Sequence, residues 1–123
     1  MIAFYENKQT YDYLKIDLIR RPFILSRSTT LGMGKYSYHW LGDNYSTFAS
    51  LKESISGIFH FNIFGIPNTG ADICGFFYDS TKDLCIRWFN IGVFYPFSRN
   101  HNSKSNIDQY PWSFDEEARN IIK

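Results

Sequence analysis

Two kinds of segment alternate along this chain, and the alternation limits the class of fold open to it. Stretches with apolar residues at helical spacing are separated by short apolar runs that end in proline, glycine or charged residues. Tyr11, Leu14 and Leu18 share one helical face, and Arg20-Arg21-Pro22 is expected to stop that helix. Phe23-Ile24-Leu25 then reads as a short buried strand ending at Ser26-Arg27-Ser28. A loop containing Gly32 and Gly34 leads into Tyr38-His39-Trp40-Leu41-Gly42-Asp43-Asn44. Phe48, Leu51, Ile55, Ile58 and Phe59 form the next helical stripe, with Ser46 or Thr47 as its N-cap. Phe61 to Ile66 reads as a second buried strand closed by Pro67, with Gly70-Ala71-Asp72 just beyond. Ser80-Thr81-Lys82-Asp83 has the form of a capping box ahead of Leu84, Trp88 and Ile91. Ser113-Phe114-Asp115-Glu116 repeats that form ahead of Ala118, Ile121 and Ile122.

Helix, strand, helix, strand, helix, with polar residues past each strand, predicts an α/β fold with parallel strands. In such folds the chemistry collects at the carboxyl ends of the strands. Arg27 and Asp72 fall there, and Asp43 follows on a loop from the same edge. The chain has 123 residues, enough for one domain and about half of the roughly 250 residues of an eight-stranded α/β barrel. It begins and ends in helical pattern, which suits the middle of something larger.

Charge and composition remove several functions. Lys+Arg 13 against Asp+Glu 12 leaves a net charge of +1, so no basic surface is available for nucleic acid. Hydrophobic content of 44% excludes disorder. No run approaches the roughly 20 apolar residues that cross a bilayer, and Ile58 to Ile66 is interrupted by His60, Asn62 and Gly65. Glu6 lies where a signal peptide would need an apolar core. The histidines, at 39, 60 and 101, lack metal-ligand spacing, and Cys74 and Cys85 lack the second pair of a zinc site. Neither a phosphate-binding glycine loop nor a Gly-x-Ser-x-Gly elbow is present. No cofactor, metal or nucleic acid is implied. The two cysteines are close enough in sequence to close a short loop, and two buried thiols are equally compatible with the composition. Aromatic content is 20%, but Ile, Asn and Lys are frequent as well, so this is a weak functional clue.

Carboxylates and aromatics at the strand ends mark candidate chemistry. In Trp40-Leu41-Gly42-Asp43-Asn44, glycine lets the backbone present the acid and Trp40 supplies an apolar wall. Desolvation beside such a wall favours a protonated carboxyl, the state a general acid requires. A solvated Gly-Asp-Asn turn accounts for the same residues. Asp72, in Gly70-Ala71-Asp72-Ile73-Cys74-Gly75-Phe76, suits hydrogen bonding to sugar hydroxyls or, alternatively, a cap. With Asp43 it could form the carboxylate pair of a glycosidase. Arg99 and His101 follow the aromatic run Phe94-Tyr95-Pro96-Phe97 and resemble a pocket lip, although a lone histidine is commonly structural. Asn44-Tyr45-Ser46 matches the N-glycosylation pattern beside the candidate acid and is read as a chance match.

Four segments in this order resemble glycoside hydrolase family 31. They are Arg21 to Thr29, His39 to Asn44, Phe64 to Pro67 leading to Gly70 to Phe76, and Phe94 to Asn102. Together they cover nearly the whole chain from about residue 20. Within the family the chain is most similar to the branch of lysosomal α-glucosidase, maltase-glucoamylase and sucrase-isomaltase. The resemblance implies a disulfide between Cys74 and Cys85, a secretory-pathway parent and an α-glucoside oligosaccharide substrate. It implies Asp43 as general acid/base, Arg27, Asp72 and His101 on the glucosyl hydroxyls, and Trp40 and Phe76 as apolar walls, with Arg99 lining the pocket. It also implies a (β/α)8 TIM barrel of which residues 1–123 would be the later half, incomplete in this chain.

The family's nucleophile belongs to a Trp-x-Asp-Met-Asn-Glu type segment upstream of the Arg-Pro-Phe strand, and no such segment occurs here; Asp12 and Asp17 stand in unrelated contexts. The expectation is therefore a fragment of a retaining α-glucosidase that holds the acid/base but needs the remainder of the barrel for a complete site. A non-catalytic relative that binds sugar or a partner is the alternative, as is a family member with another glycoside substrate. An incomplete barrel leaves open strand edges, so the isolated chain is expected to be unstable or to associate.

Overall fold

The computed structural model describes residues 1–19 and 21–123, with the side chain of Leu18 left aside. Four helices form: α1 (Ile2–Leu18), α2 (Phe48–Ile63), α3 (Lys82–Gly92) and α4 (Glu116–Ile122). Five short strands accompany them: β1 (Leu25–Ser26), β2 (Tyr38–Trp40), β3 (Thr69–Gly70), β4 (Asp72–Ile73) and β5 (Arg99–Asn100). Single 3-10 turns lie at Met33–Lys35 and Pro111–Ser113.

Local chemistry explains the helix starts. The Thr47 hydroxyl accepts from the Ser50 amide at the head of α2. At the head of α3 the cap is Thr81, which accepts from the Leu84 amide, rather than Ser80 of the expected capping box. At α4 the cap is the carboxylate of Asp115, which accepts from the Ala118 amide, rather than Ser113, which lies in the preceding 3-10 turn. Each such cap satisfies an amide that the first helical turn leaves unpaired, worth about 1 kcal/mol.

All strand pairs are parallel. Leu25 pairs with Tyr38 and Ser26 with His39. His39 pairs onward with Thr69 and Trp40 with Gly70, while Asp72 pairs with Arg99 and Ile73 with Asn100. Only Ala71 separates β3 from β4, so Thr69–Ile73 is one extended stretch that gives its first half to β2 and its second half to β5. The spatial order β1, β2, β3/β4, β5 follows the order in sequence, as in a barrel wall.

Side-chain alternation sorts this wall into two faces. Ser26, His39, Ala71 and Ile73 face the helices. Asn7 of α1 donates to the Ser26 hydroxyl at 3.4 Å, and His39 stacks on Phe61 of α2 with ring centroids 3.8 Å apart. A Cβ on Gly92 of α3 would come within 2.4 Å of Ile73 Cδ1, so glycine is what lets α3 lie on the strand. Leu51, Ala71, Ile73, Leu84, Trp88, Tyr95 and the Cys74–Cys85 disulfide form the core of that layer. Trp88 is wholly buried and its indole N–H donates to the Tyr95 hydroxyl at 3.1 Å. That hydroxyl also shares a hydrogen bond of 2.5 Å with Ser54 of α2, tying α2 to α3.

The structure corrects two expected strands. Phe61, Asn62 and Ile63 continue α2 rather than forming a strand, and the strand comes later, at Thr69. Phe61 and Phe64 are one helical turn apart and stack edge to face at 6.0 Å, so a continuous apolar run served a helix end. The first strand is Leu25–Ser26 rather than Phe23-Ile24-Leu25, and Phe23 is exposed, its ring leaning on Tyr38. Of the expected first helical face, Tyr11 and Leu14 are half-buried in α1; the Leu18 side chain and Arg20 lie outside the described residues. No helix of the described residues is long and apolar enough to cross a membrane.

Candidate active site

The face turned away from the helices carries the charged groups. Trp40 and Gly70 are register partners on it, as are Asp72 and Arg99. Arg27 and His101 stand just past the ends of β1 and β5 on the same alternation. The structure thus brings Arg27, Trp40, Asp72, Phe76, Arg99 and His101 to one edge of the parallel wall, its carboxyl edge.

Asp72 is the centre of the group. Its side chain is fully buried, and Arg99 donates to Oδ1 from Nε at 3.0 Å and from Nη2 at 2.5 Å. Oδ2 is also buried but has no partner among the described residues. Burial pushes the Asp72 carboxyl above its ordinary range. The hydrogen bonds and charge of Arg99, and then His101, pull it back, while Asp43 adds a further upward push. Burial is the largest of these influences. The Arg99 guanidinium carbon lies 5.4 Å from the Trp40 ring and 5.5 Å from the Phe97 ring. Two aromatic faces therefore hold this cation against its carboxylate. The Trp40 indole N–H, like Asp72 Oδ2, is buried without a partner.

Asp43 stands on the loop after β2 and is exposed. It lines a cavity of about 220 Å³ with Leu41, Asn44, Ser50, Glu53 and Ala71. Of the two candidate carboxylates it is Asp72, not Asp43, that is buried. Gly42 precedes Asp43 at φ 88°, and a Cβ there would come within 2.4 Å of Arg27 Nε. Glycine is needed both for the turn and for the close passage of the guanidinium. On the far side, Phe76 and His101 face each other with ring centroids 5.2 Å apart.

Asn44 is a residue whose role the sequence understated. Its amide donates to the Asp72 carbonyl and its side-chain oxygen accepts from the Phe76 amide, each at 3.0 Å. Its own carbonyl accepts from the amides of Phe76 and Phe77. The residue beside the candidate acid thus fastens the Asp43 loop to the Asp72 strand, which suits the reading of its sequon as a chance match. An asparagine directly after Gly-Asp on a strand exit is the signal that a side chain must satisfy loop backbone there.

Wider clefts lie elsewhere. One of about 420 Å³ is lined by Thr29, Leu31, Phe61 and Phe64, and one of about 360 Å³ by Ile55, Phe59, Ile91 and Phe94. Neither has a charged side chain; a third, of about 420 Å³, has Lys52, Glu53 and His60 along α2 but none of the strand-end residues, so the candidate chemistry stays with the cluster around Asp72.

Known proteins share this arrangement of sequence and fold. The profile of the glycosyl hydrolases family 31 TIM-barrel domain matches residues 1–123. A probable α-glucosidase of Oryza sativa subsp. japonica is 45% identical over 123 residues, which is 100% of this chain and 14% of that protein. The lysosomal acid α-glucosidase of Tetrahymena pyriformis is 54% identical over 95 residues, covering 77% of this chain and 10% of that protein. In structure, the family 31 α-glucosidase from Bacteroides thetaiotaomicron superposes with a TM-score of 0.90 at 34% identity, covering 97% of this chain and 20% of that one. The chain spans about a seventh or less of the length of these two curated relatives. This chain belongs to glycosyl hydrolase family 31, as part of its TIM-barrel domain.

Proposed function

We propose that this chain contributes the acid/base side of a retaining α-glucosidase site. Asp43 protonates the departing oxygen, and a carboxylate nucleophile from outside residues 1–123 attacks the anomeric carbon. Water then releases the glycosyl-enzyme, with Asp43 acting as base. The two carboxyl groups of such a pair stand roughly 5–5.5 Å apart. Asp72, Arg27 and His101 hold the glucosyl hydroxyls, Trp40 and Phe76 wall the ring, and Arg99 favours the accepting, ionised form of Asp72 against the effect of burial.

The observation that carries this reading is the convergence of Trp40, Asp72 and Arg99 on one face of the wall, with Arg27 and His101 just past the strand ends on the same face. The parent protein's compartment is proposed to be the secretory pathway, in keeping with the Cys74–Cys85 disulfide.

The test replaces the corresponding segment of the Bacteroides thetaiotaomicron enzyme by residues 1–123 and then introduces Asp43→Ala. Hydrolysis of maltose, whose leaving group needs a proton, is expected to fall about 10²–10⁴-fold. Glycosylation by α-glucosyl fluoride, whose leaving group needs none, is expected to survive. Unchanged turnover of maltose removes Asp43 from the role of acid.

A further inference from the structure

Gln109 is 2% exposed although it belongs to the irregular stretch between β5 and the last 3-10 turn. Nothing in its sequence context marks it out. Its Nε2 donates to three main-chain carbonyls: Ile73 at 3.2 Å, Gly75 at 3.1 Å and His101 at 3.3 Å. An amide has two hydrogens, so at least one is shared between two acceptors. The convergence of three carbonyls also fixes the orientation of the group, since the reverse would set oxygen against oxygen.

The identity of those carbonyls matters more than their number. Ile73 directly follows Asp72, Gly75 directly precedes Phe76, and the third acceptor is His101 itself. From these contacts we infer that Gln109 is a positioning residue for the sugar pocket, setting the spacing of Asp72, Phe76 and His101 through one buried amide. The inference rests on the proposed function for its catalytic consequence and on geometry alone for its structural one.

The neighbouring bonds support the same division of labour. Asn100 donates to the Ile73 carbonyl at 3.0 Å, and Asn106 to the carbonyls of Phe76 and Tyr78 at 2.9 Å each. Each of these amides joins the stretch at and after β5 to the stretch at and after β4. Among the described residues, only the Gln109 side chain donates to both the strand end and His101. Removing its donor leaves the outer fastening in place and frees the two walls of the pocket to separate. Displacements on the scale of 1 Å at such a site reduce rate about 100-fold.

The test uses the same chimera with Gln109→Met, which keeps the shape and deletes the donor, and Gln109→Glu. In crystals of the Met variant, the Phe76–His101 ring separation, 5.2 Å here, is expected to widen. kcat/KM for maltose is expected to fall at least tenfold at a temperature well below the melt. The Glu variant donates only when protonated, so its rate relative to the parent chimera is expected to rise as pH falls. A Met variant with an unmoved ring pair overturns the inference, as does a Glu variant whose relative rate ignores pH. Should the rings separate while kcat and KM stay as they were, the sugar-holding role of Phe76 and His101 is what fails. If the Met variant does not fold, the pH dependence of the Glu variant decides.

Discussion

Replacing Arg99 by methionine separates the cost of burying Asp72 from the benefit of its partner. Methionine approximates the stem of arginine and keeps contact with Trp40 and Phe97, but it removes both hydrogen bonds to Asp72 Oδ1. Because Oδ2 is already unpartnered, the variant leaves a fully buried carboxylate with no partner on either oxygen. Leaving one member of a buried pair uncompensated costs about 3–5 kcal/mol. The pH dependence gives the claim its sign. Burial holds the Asp72 pKa in the folded state above the ordinary 3.8, so this group's contribution to stability is fully present below that value. It is lost as pH rises through the raised pKa. Arg99 offsets part of that loss, and the variant forfeits the offset while its Asp72 pKa rises further. The deficit relative to the parent is therefore small in acid and full at neutral pH. In the chimera it should appear as a Tm lowered by at least about 5 °C at neutral pH, by the usual relation for domains of this class. Melting parent and variant between about pH 4 and pH 8 measures it. A deficit independent of pH, or one that grows in acid, refutes the account of Asp72 as a costly buried anion held by Arg99.

Two other perturbations probe the frame. Gly42→Ala forces a Cβ to within 2.4 Å of Arg27 Nε at φ 88°, which costs about 1–2 kcal/mol of backbone strain and displaces the guanidinium. A tenfold or greater loss in kcat/KM of the chimera is expected, and undiminished kinetics would show that Arg27 can occupy another position. The isolated chain exposes Ile2, Tyr5, Tyr13 and Ile16 on α1 and Phe59, Val93 and Phe94 about α2 and α3, with β1 and β5 as open edges. It should elute as an aggregate or oligomer, and a sharp, reversible melt of a monomer would contradict this.

The sequence made α2 and α3 legible because a long apolar stripe and a hydroxyl cap agree at each. It misplaced the second strand because Phe61 to Ile66 is apolar throughout, and an unbroken apolar run does not distinguish a buried strand from the end of a helix. β2 and β5 left no signal of their own. With two or three residues each, they are too short for alternation to register and are defined by the strands beside them. The candidate site was partly visible, since Gly42 and Gly70 bracket the acids and the resemblance ordered them. The ion pair between Asp72 and Arg99 and the three-way contact of Gln109 join residues far apart in the chain, and local pattern does not encode such distances.

The stretch from Thr69 to Ile73 has no slack. Asp72 sits one peptide away from Ala71 on one side and Ile73 on the other, and both of those belong to the core. An insertion of a single residue at Ala71 would invert the acid rather than shift it, driving its carboxyl among Leu84 and Trp88 and turning isoleucine toward the face that carries Trp40 and Arg99. Here the chain should accept many changes of letter but none of length.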